Sequence, residues 1–470
     1  MKNMSLAKKA LMAFLLFAVF LPLSNMIGLT AGHEPIKPVP GASQNFADVS
    51  RIMQNKCVDC HSPGMTRFPI YSKLPVARQL MESDINNASS RFVITKDNYS
   101  GEASFTPLML ARLEGALRNN SMPPNLYLSM HWNGRLTDAE NRTLLAWIAE
   151  EREKLAWSKD AAPTLKGEPV QPLPLTVSLN QKKVALGKSL FFDHRLSGDN
   201  TMNCASCHSL TKGGTDQEKV ATGIRGQKGP INSPSVYNAS YNLAQFWDGR
   251  AKDLVEQAAG PVANPGEMGA EWTKVVATLS QDEQYKALFS ELYPNEGIST
   301  LTITQAIATF EESLVTGGSR FDDHLRGRKD VLSPAEKNGY YLFKMNCASC
   351  HFGPTLGGMS YEKMGRREDY FKLRGGPLTE VDNGRYNVTK NESDRHFFKV
   401  PNLRNVELTY PYFHDGSAAT LQEAVKTMAL VQAGKNLKNE EVEDIVAFLK
   451  TLTGKYKNIS LGQLQDSDVK

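Results

Sequence analysis

The sequence contains little cysteine, and what it has leaves no room for a disulfide framework. Its 470 residues include six cysteines and nine histidines. All six cysteines fall in three copies of Cys-x-x-Cys-His, and chance placement predicts on the order of a thousandth of one copy. The copies are Cys57, Cys60 and His61; Cys204, Cys207 and His208; and Cys347, Cys350 and His351. Three copies therefore indicate a shared chemical role.

The chain also lacks a strong charge of either sign and any low-complexity tract. Its formal net charge is +4, which is too small for this length to indicate a nucleic-acid partner. No region alternates polar and apolar residues as a sheet protein does. We therefore expect a mainly α-helical globular protein.

Charge is absent altogether from residues 10–32, which follow Lys2, Lys8 and Lys9. An uncharged stretch of this length is sufficient to span a bilayer, and lysines on its short N-terminal side keep that end in the cytoplasm. The sequence thus predicts an N-terminal transmembrane helix in a bacterial inner membrane, with the remaining chain in the periplasm.

A cleaved signal peptide is the alternative for the same segment. Residues 28–32 lack a clear small-x-small cleavage site, which favours an anchor, whereas Pro22, Ser24 and Asn25 weaken a spanning helix. Export is expected in both cases, and the sequence leaves cleavage open.

Each Cys-x-x-Cys-His motif is preceded by a helical pattern. Apolar residues at spacings of three and four precede the first motif, and Ser333 with Glu336 forms a capping box before the third. The phrase Gly-x-x-Leu-Phe occurs before both the second and the third motif, beginning at Gly187 and at Gly339. Helix, motif, loops and a closing helix is the plan of a small cytochrome c domain.

Proline-rich and polar linkers divide the chain. Residues 161–174 are rich in proline, and residues 326–332 are polar and precede the third unit. The predicted fold is mainly α, with three cytochrome c-like haem domains behind a transmembrane helix. The predicted boundaries are 1–32 for the anchor, 33–160 for a monohaem domain, 161–327 for a second haem domain and 328–470 for a third.

Two cysteines at this spacing can bind both vinyl groups of one porphyrin, which places the adjacent histidine beneath the iron. A zinc site is the alternative, but it needs further cysteine or histidine ligands, and no other cysteine exists. The sequence therefore predicts three covalent haem c groups, with His61, His208 and His351 as iron ligands.

The second axial ligand determines the role of each haem. A methionine gives a six-coordinate electron-transfer haem, whereas an open position permits catalysis. Met428 is a candidate for the third haem and Met122 for the first, where His131 competes with it. Methionine is more often core filler than ligand, so the residues alone leave these assignments open.

Residues from about 172 to 456 resemble the bacterial dihaem cytochrome c peroxidases. The matching stretches are the second motif, residues 229–232, 246–250, 257–268, 400–406 and 412–416, and the helix that bears Met428. The additional haem unit resembles the three-haem, membrane-anchored branch of that family, the quinol peroxidases.

This resemblance implies roles for particular residues. The haem of His208 would reduce peroxide, and the haem of His351 and Met428 would transfer electrons. Trp247 would lie between them, Glu267 would be the distal acid–base residue, and Gln257 would lie beside it. The resemblance further implies a calcium site formed by Asn232, Thr409 and Pro411.

One residue departs from the family pattern. Many members place a removable histidine ligand where this chain has Ile224. Isoleucine has no lone pair for iron, so the second haem is expected to be open at rest and to need no reductive activation.

The expected function is reduction of hydrogen peroxide to water with electrons from membrane quinol. The alternatives are a peroxidase fed by a soluble cytochrome c and a multihaem electron carrier without catalysis. A related oxidase that modifies a protein substrate carries tyrosine where this chain has Met428. The sequence leaves the quinone, the haem potentials and homodimer formation open.

Overall fold

The computed structural model describes residues 44–62, 74–131 and 134–469 and scattered positions before residue 44. The chain forms two compact units, Met1–Lys154 and Leu155–Lys470. From residue 44 onward, the described helices of the first unit are α1 Gln44–Lys56, α2 Val58–His61, α3 Pro75–Ser89, α4 Lys96–Ser100, α5 Pro107–Arg118, α6 Asn125–Met130 and α7 Asp138–Glu153.

The second unit is also mainly helical. Its α-helices are α8 Gln181–Phe191, α9 Leu254–Ala263, α10 Trp272–Leu279, α11 Glu283–Leu292, α12 Thr300–Glu312, α13 Arg320–Leu325, α14 Pro334–Asn346, α15 Tyr370–Arg374, α16 Tyr386–Thr389, α17 Leu421–Met428, α18 Asn439–Lys450 and α19 Asp466–Val469. Its strands are β1 Tyr361–Lys363, β2 Phe397–Lys399, β3 Lys455–Tyr456 and β4 Ile459–Ser460. They form two antiparallel pairs, β1 with β2 and β3 with β4.

The predicted N-terminal transmembrane helix is wrong. Among the described residues, no helix is long and apolar enough to cross a membrane. Such a helix needs about 20 mostly apolar residues in succession, and Pro22, Ser24 and Asn25 interrupt the apolar run. Most of residues 10–32 lie outside the described residues.

The first unit is built around the helices that flank its motif. Val49, Ile52 and Met53 of α1 are buried in one core with Leu144 and Trp147 of α7. A capping box begins α7, because Thr137 accepts a hydrogen bond from the backbone of Glu140 and the Glu140 carboxylate accepts one from the Thr137 backbone. The apolar stripes read from the sequence therefore face each other across this core.

The second unit contains two helix pairs of the same kind, α8 with α12 and α14 with α18. Gly187 lies where α8 crosses α12, and a Cβ there would overlap the carbonyl oxygen of Ala306. Gly339 lies where α14 crosses α18, and a Cβ there would overlap the carbonyl oxygen of Asp444. The repeated glycine thus permits the close approach of two helix backbones in both pairs.

Candidate functional site

The three motif histidines share one hydrogen-bonding arrangement. Nδ1 of His61 lies 2.7 Å from the carbonyl oxygen of Phe92, Nδ1 of His208 lies 3.3 Å from that of Gly214, and Nδ1 of His351 lies 2.9 Å from that of Leu356. Burial lowers the pKa of each histidine. A neutral ring that donates from Nδ1 to a carbonyl presents Nε2 as the metal-binding atom.

The motif cysteines are half-buried free thiols. Burial raises the pKa of Cys57 and of Cys347 to about 12. It also raises the pKa of Cys207 to about 11, with smaller contributions from Asp216 and Glu267. In the described part of the chain, none of the motifs belongs to a cluster of three or more histidine, cysteine or carboxylate ligands, which favours haem attachment over a zinc site.

The third motif opens onto a cavity of about 250 Å³. Cys347, Cys350 and His351 line it, and Met428 lines it from the end of α17. A π-helical turn, Ala429–Ala433, follows this methionine directly, and such turns occur frequently at functional sites. Two thiols, an imidazole and a thioether around a largely apolar space are the donor set that a covalently bound haem requires, so the residues fit this group.

Trp247 also lines this cavity. Its indole Nε1–H donates to the carbonyl oxygen of Asn232 at 2.9 Å, and its own carbonyl oxygen accepts from the backbone N–H of Lys399 at 2.8 Å. The indole ring lies edge-on to the ring of His414, with centroids 6.3 Å apart. Three separate chain segments therefore hold this tryptophan.

The residues predicted for calcium border this same cavity. Asn232, Thr409 and Pro411 all line it. The Asn232 side chain donates through Nδ2 to the carbonyl oxygen of Glu218 at 2.9 Å, which leaves its Oδ1 as an acceptor. Oxygen ligands of this kind suit Ca²⁺.

Near the second motif, the loop after α9 packs against the segment that carries Ile224. The backbone N–H of Ile224 donates to the carbonyl oxygen of Glu267 at 2.7 Å, and the Ile224 side chain is buried. The Glu267 carboxylate accepts a hydrogen bond from Nδ2 of Asn264 at 2.8 Å. The structure thus brings together a residue that cannot ligate iron and the predicted acid–base residue.

Glu267 is half-buried, and its environment opposes ionisation. Burial raises its pKa above the ordinary value of 4.5, and Arg250 and Asn264 act in the opposite direction. The Glu267 carboxylate also contributes to the raised pKa of Cys207 in the second motif. Gln257, on α9, is also half-buried.

The candidates for the first haem differ in exposure. Met122 is 41% exposed. His131 is half-buried, its Nδ1 lies 3.0 Å from the carbonyl oxygen of Tyr127, and its ring stacks on the ring of Tyr127. Met122 as the second axial ligand of the first haem therefore stays a prediction, and His131 is the alternative ligand.

Sequence reasoning missed a buried ionic network behind Trp247. Nε2 of His414 lies 2.8 Å from Asp382, and the Arg374 guanidinium pairs with both Asp382 and Asp415. Burial opposes ionisation of Asp382, but hydrogen bonds from Arg374 and other groups hold its pKa below the ordinary range. Arg374 already supplies the cation, so a metal ion is not needed here. The only sequence signal that could have indicated this network is the repeated occurrence of arginine in residues 366–395.

Three family models match separate parts of the chain. Residues 20–150 match a haem-binding domain, residues 181–330 match the di-haem cytochrome c peroxidase model, and residues 336–453 match cytochrome c. Each model covers one of the Cys-x-x-Cys-His motifs.

Individual proteins match over longer stretches. Cytochrome c peroxidase Ccp of Escherichia coli (strain K12) is 44% identical over 418 residues, which are 88% of this chain and 89% of that protein. Cytochrome c551 peroxidase of Nitrosomonas europaea is 49% identical over 305 residues, 64% of this chain and 89% of that protein. A crystal structure of a MauG-like protein associated with microbial copper homeostasis has a TM-score of 0.53 at 30% identity, and the match covers 61% of this chain and 94% of that one.

Proposed function

This chain belongs to the di-haem cytochrome c peroxidase family and is a haem c peroxidase that reduces hydrogen peroxide. Beyond this activity, we propose that it works with three haems and takes its electrons from quinol. The observation that carries the three-haem proposal is the arrangement shared by His61, His208 and His351, in which Nδ1 contacts a carbonyl oxygen and Nε2 remains for iron. When bound, the haems supply the redox centres, with peroxide reduced at the one held by His208.

Glu267 supplies the proton movement that peroxide cleavage needs. The O–O bond breaks heterolytically once a proton has moved from the inner to the outer oxygen of the peroxide. Glu267 accepts this proton through its carboxylate and then donates it, with Gln257 beside it to orient the substrate. A raised pKa suits this exchange, since a group of intermediate basicity both takes and returns a proton.

Ile224 keeps the distal side of this site free of a protein ligand. Its buried aliphatic side chain lies against the loop of Glu267. Peroxide therefore needs no prior displacement of a side chain, and the enzyme is active as isolated. The third motif would supply the electrons: Cys347, Cys350, His351 and Met428 would hold its haem, and Trp247 would lie between the two centres.

The first unit receives the electrons. The 418 residues aligned with the Escherichia coli peroxidase exceed what Leu155–Lys470 alone can contain, so the likeness extends into the unit that carries Cys57 and Cys60. A haem unit in addition to the two of the dihaem enzymes supports a dedicated donor, and we propose quinol. A soluble cytochrome c is the alternative donor.

Two further elements complete the proposal. Calcium binds at Asn232, Thr409 and Pro411, which all line the cavity of the third motif. The part of the chain that bears the three Cys-x-x-Cys-His motifs is exported to the periplasm, which the three lysines ahead of the uncharged residues 10–32 support.

Comparing two donors in one variant tests the proposal. Replacing Cys57 and Cys60 with alanine removes the first haem. Peroxide turnover driven by a quinol analogue should be lost, whereas turnover with a dye that reduces the third haem directly should persist. Equal loss with both donors would show that the first unit is structural, and unimpaired quinol turnover would place quinol entry elsewhere.

A further inference from the structure

The Lys399 side chain is buried, and its ammonium group has no anionic partner among the residues that the structure describes. This residue ends β2 and is 6% exposed. No described residue supplies a hydrogen bond or an ion pair to its Nζ, and burial lowers its pKa to about 8. Lysine is almost never buried unless it is paired, because removing an ammonium from water is costly.

In the described part of the chain, the other buried cationic side chains each form an ion pair with a carboxylate, which offsets the loss of hydration. Arg404 is fully buried and pairs with Asp322 at 2.8 Å. Arg152 is buried in the first unit and pairs with Glu114. Lys399 departs from this rule, so its counter-charge is to be sought in a group that the described residues do not provide.

The position of Lys399 identifies the group. It lines the cavity that Cys347, Cys350, His351 and Met428 also line. A haem attached there brings two propionate carboxylates, which need cations or hydrogen-bond donors wherever they are shielded from water. Arg404, which lines the same cavity, already pairs with Asp322.

We propose that the Lys399 ammonium binds a propionate of the haem held by His351, and that this ion pair raises the reduction potential of that haem. The inference rests on the proposed function, since it requires a haem at the third motif. A positive charge near the haem favours the reduced state, which carries one positive charge fewer, and such local charges are among the means by which proteins set haem potentials. The backbone N–H of Lys399 also donates to the carbonyl oxygen of Trp247, which joins the end of β2 to the segment of this tryptophan.

Three variants of the full-length protein test the proposal by potentiometric titration of its low-spin haem absorbance. Lys399→Met keeps the length of the side chain and removes the charge, and Lys399→Arg keeps the charge. Lys363→Met is the control, because Lys363 is exposed and lies on β1, which pairs with β2. We expect a lower midpoint potential in Lys399→Met, a value near wild type in Lys399→Arg and no change in Lys363→Met.

Haem content, measured on the same samples, separates the outcomes. An unshifted potential in Lys399→Met with full haem content would overturn this inference alone. A wild-type protein without haem at Cys347 and Cys350 would overturn both the inference and the proposed function. Should Lys399→Met fail to assemble, the propionate bending modes in resonance Raman spectra of Lys399→Arg decide: a shift from wild type supports the contact, and unchanged modes overturn it.

Discussion

At the scale of single residues, the proposed catalysis depends on what burial does to a few ordinary side chains. Glu267 lies in a loop rich in proline and glycine, and this composition by itself predicts an exposed surface carboxylate. Its half-buried position raises its pKa, and the contact between its carbonyl oxygen and Ile224 places it at the second motif. The same residue type a few positions later, Glu271, is exposed and pairs with Lys274.

Glu267→Gln keeps the shape of the side chain and removes its ability to exchange a proton. We expect peroxide turnover to fall by about 10²-fold or more, the usual contribution of general acid–base catalysis, with haem spectra nearly unchanged. Glu271→Gln is the matched control and should turn over normally. A Glu267→Gln enzyme of normal activity would remove this residue from the mechanism.

The pH profile of the same enzyme provides a second test of Glu267. The carboxylate accepts a proton only when ionised, and burial raises its pKa above 4.5. We therefore expect kcat/KM of the wild type to fall with decreasing pH through an apparent pKa above that of an ordinary glutamate. Glu267→Gln should lack this decrease of kcat/KM at low pH. A decrease with the same apparent pKa in both enzymes would show that another group causes it.

Ile224→His introduces a side chain with a lone pair where the present one has none. If the loop brings the ring to the iron, the oxidised variant should show a low-spin second haem and a lag that prior reduction abolishes. Ile224→Val is the control and should remain high-spin and active without reduction. An oxidised wild type that is wholly low-spin and inert until reduced would mean that another side chain, with Met268 as the candidate, already occupies the position.

At the scale of elements, two helix crossings depend on glycine. Gly187 and Gly339 begin the same Gly-x-x-Leu-Phe phrase, and in both a Cβ would overlap a carbonyl oxygen of the partner helix. Backbone contact of this kind leaves no flexible side chain to move aside. The repeat in the sequence thus reflects a repeated packing requirement.

Gly339→Ala should destabilise the second unit. Overpacking costs about 1–3 kcal/mol, which exceeds the gain of about 0.5–1 kcal/mol from replacing a helical glycine with alanine. The thermal midpoint followed by circular dichroism should fall. Gly462→Ala is the control, because a Cβ at Gly462 meets open space. An unchanged midpoint in Gly339→Ala would mean that the helices separate without cost.

At the scale of the whole molecule, the chain combines two compact units that each carry Cys-x-x-Cys-His motifs. The first unit has one motif and the second has two. Family models match each of the three regions separately. The proposed electron supply requires a haem in the first unit in addition to the two of the second unit, so it depends on the number of haems.

Mass spectrometry of the mature protein should find three haems, each joined to one cysteine pair. Replacing both cysteines of one motif with alanine should remove one haem and leave the other two. The three double variants serve as controls for one another, since each should lose a different haem peptide. Two haems in the wild type would contradict the three-haem proposal.

The sequence by itself determined the family, the haem chemistry and the mainly helical character. These follow from signals contained within short segments, such as the spacing of Cys204, Cys207 and His208, the apolar periodicity and the caps. The expected transmembrane helix also came from a local pattern, and it was wrong because hydropathy read along a chain does not establish a continuous spanning helix.

The tertiary structure alone decided which distant residues act together. Ile224 and Glu267 are 43 positions apart and meet through one backbone hydrogen bond. Lys399 is one of many lysines in the sequence, and only its burial in the cavity of His351 distinguishes it. Desolvation and ion pairing depend on every neighbour in space, and long-range packing selects those neighbours without leaving a pattern in the local sequence.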